Sequence, residues 1–242
     1  TASASAILTV TVPTGEYESA VVATKPSLWY RYSETAPNLG DPASNSGSLG
    51  ATGDGQYIGN TTHPVPGALV GSSDQAASFA GGRVAVPYSS SLNPAIFTIE
   101  AWLKPAETGG SLTSPLASMQ VANPREGWNF YQSATGWNFR TYNLNGTTAA
   151  VNITGGGAPV TNQWYHLVGT WDGSVGRVYV DGVLSATSDP TNIFVNPSAE
   201  FTVGARSDGA FAWLGEADEV AYYATALSDA QILAHYQNGT NA

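Results

Sequence analysis

The chain has 242 residues and a mass of 25.1 kDa, a length that admits one large all-β domain or two small ones. Eight Lys and Arg stand against eighteen Asp and Glu, so the net charge is −10 and the isoelectric point near 4.5, which excludes nucleic acid and anionic lipid as electrostatic partners. With no cysteine there is no disulfide, thiolate metal site or thiol nucleophile. Charged residues are only 11 %, while 27 Gly, 14 Pro and 11 % aromatics favour short strands joined by turns over amphipathic helices.

Thr1 to Gly15 has neither the basic region nor the long apolar stretch of a signal peptide, and no apolar run approaches the ~18 residues that would insert in a bilayer. The expectation is a mature or excised segment. The acidic, Lys-poor, Thr/Ser/Asn-rich composition points to a secreted or cell-surface bacterial protein. Sequons stand at Asn60, Asn145, Asn152 and Asn238.

Ala6 to Val12 alternates as a strand cut off by Pro13, and residues 1–12 read as the last strand of a preceding immunoglobulin-like module or as an edge strand of the same domain. Tyr17, Val21 and Val22 fall at helical spacing, so a short helix is expected over 16–23, ended by the extended bias that Pro26 imposes on Lys25. Strands follow from Leu28. Pro37 to Thr62, poor in apolar residues, reads as long loops. Segments 76–80 and 83–86 flank Gly81-Gly82 as a hairpin, and IFTIEAWLK at 96–104 is the clearest strand. Its alternation sends Phe97, Ile99, Ala101 and Leu103 to the core and Glu100 and Trp102 to the outer face. Further strands are expected near 115–120, 127–133, 137–143, 148–153, 163–171, 175–181, 183–187, 200–205 and 213–223. Asp181-Gly182 signals a two-residue hairpin turn. Ser228 with Gln231 forms a capping box, and Gly239 is expected to stop that last helix.

About a dozen short strands at regular spacing predict an all-β, two-sheet antiparallel sandwich with a short C-terminal helix. Six phrases then converge: LWYRYSET (28–35), AASFAGGRVAVP (76–87), FTIEAWLKP (97–105), QWYHLVGTWDG (163–173), GRVYVDGVL (176–184) and LGEADEVAYYATALSDAQI (214–232). Together they resemble the laminin-G-like jelly rolls of the concanavalin-A-like lectin and glucanase superfamily, over about residues 16–238. The resemblance implies one jelly-roll domain over 13–242, set among flanking domains of a longer secreted protein. It leaves the function open, since the superfamily holds hydrolases, lyases, lectins and adhesion modules.

Glycoside hydrolysis needs two carboxylates facing one groove. In Glu216-Ala217-Asp218-Glu219, alternation puts Glu216 and Asp218 on one face and Glu219 on the other, in a stretch that resembles a structural strand of the family. His63, His166 and His235 lack a lyase context, and no nucleophile elbow or phosphate loop is present. No enzyme is expected. The resemblance implies a structural calcium held by Asp218, with the Gly81 carbonyl and Glu34 as further donors; the alternative is that these groups are only hydrogen-bonded.

A glycan platform follows from strand parity. If the turn between 128–132 and 137–142 is even, Trp128, Phe130, Trp137 and Phe139 face the core, and Asn129, Tyr131, Asn138, Arg140 and Tyr142 share the other face. Flat rings stack on sugar C–H faces, while amides and a guanidinium reach hydroxyls. The expectation is a non-catalytic module that binds polysaccharide there. An adhesion or spacer domain with a protein partner, or no ligand, is the alternative. Trp213 and Phe211 read as an exposed pair or as end plugs, Trp164 and Trp171 as structural.

Overall fold

The computed structural model describes residues 15–34, 40–108 and 111–241; the strand expected at 6–12 lies outside them. In chain order the elements are α1 (Glu16–Thr24), β1 (Leu28–Tyr30), β2 (Pro42–Ala43), β3 (Gly55–Ile58), β4 (Thr61–Pro66), β5 (Gln75–Ala80) and β6 (Arg83–Val86). Then come β7 (Phe97–Pro105), β8 (Thr113–Gln120), β9 (Glu126–Ser133), β10 (Gly136–Tyr142), β11 (Ala149–Gly155) and β12 (Tyr165–Trp171). The rest are β13 (Gly176–Val180), β14 (Val183–Thr187), β15 (Phe201–Val203), β16 (Leu214–Tyr223) and α2 (Asp229–Thr240).

Two antiparallel sheets result. The first runs β14-β13-β12-β7-β16-β5-β4, with β1 also on β16; the second runs β11-β10-β9-β8-β15-β6-β3-β2. This is the expected jelly-roll sandwich. Its interior is dominated by rings: Phe97, Trp128 and Tyr222 stack mutually at 5.8–6.1 Å between centroids, and all three are buried. The hairpin turn at Asp181-Gly182 forms as expected, with φ of 52° and 75° joining β13 to β14.

Three local expectations are corrected. Gly81-Gly82 is no hairpin: β5 pairs in the first sheet and β6 in the second, so the two glycines turn the chain between layers. A Cβ on Gly82 would lie 2.6 Å from the Asn60 backbone, which explains the small residue there. The stretch 37–62 is more than loop, since it carries the short edge strands β2 and β3. Gly239 lies inside α2, which continues to Thr240; its missing side chain lets the helix close on Trp102, whose ring a Cβ there would meet at 2.6 Å.

A second apolar layer lies outside the first sheet. Helices α1 and α2 cover Trp102, Val168, Tyr179, Ala221 and Tyr223 with Tyr17, Val21 and Ile232. Trp102 is on the outer face, as alternation requires, yet Tyr236 stacks on it at 6.0 Å and it is 3 % exposed. Among the described residues the second sheet has no such helical cover.

Candidate functional site

The register of β9 and β10 is the even one. Asn138 pairs with Tyr131 and Arg140 with Asn129, which sends Trp128, Phe130, Trp137 and Phe139 into the core. Asn129, Tyr131, Asn138, Arg140 and Tyr142 therefore share the outer face of the second sheet. That face is not the open platform expected. Asn129, Tyr131, Asn138 and Tyr142 are 0, 2, 6 and 1 % exposed, and Arg140 is half-buried.

The cover comes from segments distant in sequence. Phe211 meets the Tyr131 ring edge-on at 5.6 Å, and the Arg140 guanidinium lies 4.8 Å from the same ring. Arg125 lies 5.8 Å from the Tyr142 ring. Phe194 bridges the strand ends, its N–H donating to the Tyr142 carbonyl while the Gly127 N–H donates to Phe194. Arg140 Nε donates to Asn152 at 2.9 Å, and the Asn138 amide donates to Thr154. Asn129 alone in this set has no protein partner for either amide atom, an arrangement that costs on the order of 1–3 kcal/mol unless something else pairs it.

Beside this set a groove of about 460 Å³ opens, lined by Met119, Gln120, Val121, Ser198, Glu200 and Ser207, among others. Its floor is continuous with Tyr142, since Ala117, Met119 and Tyr142 form one apolar cluster with Val121 packed on it. Asn129 stands opposite Ala117 and two pairs along from Met119 and Gly127. The groove's polar residues come from the end of β8 and from the loops carrying Ser198, Glu200 and Ser207, which meet it only in three dimensions, so no local pattern marks them.

The acidic site also differs from expectation. Carboxylate oxygens of Asp74, Asp218 and Glu219 lie within 4.8 Å of one another. Strict alternation fails because β16 bulges between Asp218 and Ala221, with Glu219 at φ 49°. The bulge falls where β16 changes partner: Ala217 still faces Ala77 of β5, whereas Val220 faces Tyr30 of β1. Asp218 accepts the Ala68 N–H at 2.8 Å and the Glu219 N–H at 2.7 Å. Glu219 accepts from Trp29 and, at 3.1 Å, from Arg31, which also binds Glu18 at 2.7 Å.

Gly81 and Glu34 are not part of this cluster. Ala80 faces Leu214, so Gly81, one residue further on, lies about five residues along β16 from Asp218, roughly 17 Å at strand rise. Glu34 is engaged by the Ser44 N–H and the Tyr57 hydroxyl. Burial and the neighbouring Asp74 carboxylate push the Asp218 pKa up, and burial raises Glu219 to about 8 against the pull of Arg31. The cluster fits a hard cation: three carboxylates converge, and Asp74 Oδ2 is buried without a partner.

The remaining candidates are structural. Glu100 is fully buried, held by His166 Nε2 at 2.7 Å, His235 Nδ1 at 3.0 Å and the Tyr223 hydroxyl at 2.7 Å. Trp213 is buried and donates to Gln132 at 2.6 Å, while Phe211 stays 41 % exposed, so the expected pair is split. Glu216 pairs with Lys104, whose ammonium also lies over the half-buried Trp164.

No curated protein sequence matches the chain. Among solved structures, domain 4 of AbnA, a GH43 extracellular arabinanase from Geobacillus stearothermophilus, in complex with arabinotriose, is similar at 19 % identity and a TM-score of 0.64. That match covers 88 % of this chain and 98 % of that one. The botulinum neurotoxin serotype D binding domain aligns at 10 % identity and a TM-score of 0.65, over 93 % of this chain and 53 % of that one. Trypanosoma rangeli sialidase in complex with 2,3-difluorosialic acid aligns at 16 % and 0.63, over 88 % and 32 %. At these identities the likeness is one of fold. The family model described as Concanavalin A-like lectin/glucanases superfamily, of laminin-G type, matches residues 78–233; with the two-sheet jelly roll described above, the chain belongs to that family.

Proposed function

We propose that this domain is a non-catalytic glycan-binding module of a secreted or cell-surface multidomain protein, and that it binds polysaccharide on the outer face of the second sheet. The observation that carries the reading is the groove floored by Met119, beside a wholly buried Asn129 whose amide has no partner in the protein. Apolar floor with a few converging polar groups is the make-up of a small-ligand site. Supporting it, a similar fold is seen holding arabinotriose in an extracellular arabinanase. A non-catalytic role is favoured because Glu216 is tied to Lys104 and Asp218 has no exposed surface, so no carboxylate pair of β16 faces a groove. Calcium, on this reading, is structural and is held by Asp74, Asp218 and Glu219, where it would supply charge neutralisation to buried carboxylates.

Met119 is the chain's one methionine. A glycan screen with and without calcium, followed by NMR of a methyl-labelled methionine, tests the reading directly: a ligand in the groove shifts a single resonance. A glycan that binds while that signal stays put would move the site elsewhere. The second reading, an adhesion or spacer module, is favoured by the cover that Phe211 lays on Tyr131; it predicts no glycan hit at all.

A further inference from the structure

Three of the six arginines of this chain lie over aromatic rings on one face of the second sheet: Arg125 over Tyr142, Arg140 over Tyr131, and Arg206 over Phe211 at 4.6 Å. In a chain of net charge −10 that concentration is against the average. Arg206 is neutralised by Asp208 through two bonds of 2.9 and 2.6 Å. The other two are not. Arg140 reaches only the Asn152 and Asn138 side-chain oxygens, at 2.9 and 3.4 Å, and Arg125 Nε has no partner. Among the described residues neither makes an ion pair, whereas Arg31, Lys104 and Arg177 each do.

The two guanidiniums without a carboxylate partner belong to one place. Arg140 and Tyr142 are two residues apart on β10 and so share a face. Burial raises the Tyr142 pKa while Arg125 and Arg140 both act to lower it, as two cations near one phenol must. The unpartnered Asn129 amide is on the residue directly across from Arg140 in the β9–β10 register. Both arginines are half-buried, so each keeps access to solvent while its stem is held against a ring.

We propose that the glycan taken by this face is acidic, a saccharide whose carboxylate is received by Arg140 and Arg125. This rests on the glycan-binding reading above and narrows it to a ligand class. A guanidinium without a carboxylate partner offers a planar fork of donors that a sugar carboxylate fits and a neutral hydroxyl does not. Opposing charges nearby include Glu126, next to Arg125 and across from Gln120 of the groove, Glu200 on the groove wall, and Asp208, already bound to Arg206.

The test is calorimetric titration of the full chain with a tetragalacturonate and with a neutral galactotetraose of the same linkage, at low and at physiological salt. The uronate is expected to bind at least about tenfold tighter, with the preference shrinking as salt rises. Arg140→Gln and Arg125→Gln should each remove about tenfold of uronate affinity while costing neutral-sugar affinity far less, so that the uronate preference collapses. Equal affinity for the two sugars overturns the acidic class and leaves the groove as a neutral-glycan site. Uronate binding that survives in both variants also overturns it. If neither sugar binds and the glycan screen is empty, the underlying reading fails as well.

Discussion

Glu100 carries a carboxylate at zero exposure because two imidazoles and a phenol, brought by β12, α2 and β16, meet it from three sides. His235 and His166 hold its pKa below the ordinary 4.5 against the cost of burial, and Glu100 in turn raises His235 above 6.5. The signs define a window. The depressed Glu100 contributes stability that is complete above about 4.5 and is lost as pH falls through its folded pKa; the raised His235 contributes stability complete below about 6.5 and lost as pH rises through its folded pKa. Denaturant unfolding across pH should therefore show this pair's contribution at its fullest between about 4.5 and 6.5, and Glu100→Gln should flatten that profile. Removing one partner of such a buried pair is expected to cost on the order of 3–5 kcal/mol. A variant within 1 kcal/mol of the parent at pH 5.5 would show that the network is not ionic. Alternation placed Glu100 on the outer face correctly; nothing local to 96–104 reveals that a residue 135 positions away completes its shell.

At the scale of elements, α2 shows how a local signal and a tertiary contact act on one helix. The capping box of Ser228 and Gln231 satisfies backbone donors within the helix's own sequence, which is why it was legible. Ser228→Ala should cost about 1 kcal/mol, read as a drop in melting temperature with faster amide exchange confined to the first turn. Gly239 has the opposite logic. Alanine in a helix normally gains about 1 kcal/mol over glycine, but here the added methyl would meet the Trp102 ring at 2.6 Å and Leu69 at 3.2 Å. Gly239→Ala is expected to lose roughly 1–3 kcal/mol, as overpacking does, and a gain would mean that α2 docks loosely. The strand β16 makes the same point: its hydrophobic alternation was readable, whereas the bulge at Glu219 arises because β5 ends and β1 begins along its edge.

For the whole molecule, the proposed calcium site makes a prediction about how stability responds to cations. Asp218 and Glu219 have folded pKa values raised by burial, Glu219 to about 8, so without a counter-ion their ionisation opposes folding increasingly as pH rises from about 4.5 toward 8. A bound divalent ion removes that penalty. Millimolar calcium should raise the melting temperature by several degrees at pH 8 and by little at pH 5, well below the raised pKa of Glu219. Asp74→Asn should abolish most of the shift. A chelator without effect at pH 8, or a calcium response equal at both pH values, would dismiss calcium from this cluster. The outer face of the second sheet carries the other molecule-wide prediction, since Phe211→Ala should bare Tyr131, now edge-on at 5.6 Å, and strengthen rather than weaken any glycan bound over it.

What this sequence determined by itself is whatever neighbours along the chain control: a short helix near 16–23, though Lys25 ends it in a left-handed and not an extended conformation, the positive-φ turn at Asp181-Gly182, and the capping box; the parity that buries Trp128 and Trp137 together was conditional on an even turn, which the structure supplies. Each follows from sterics or hydrogen bonds spanning a few residues. Tertiary structure alone decided that Gly81-Gly82 joins two sheets, that Asp74 and Glu219 rather than Gly81 and Glu34 stand with Asp218, and that Phe211 and Phe194 close over the face expected to be open. Those outcomes depend on where loops of remote sequence come to rest against a sheet, which strand periodicity does not encode.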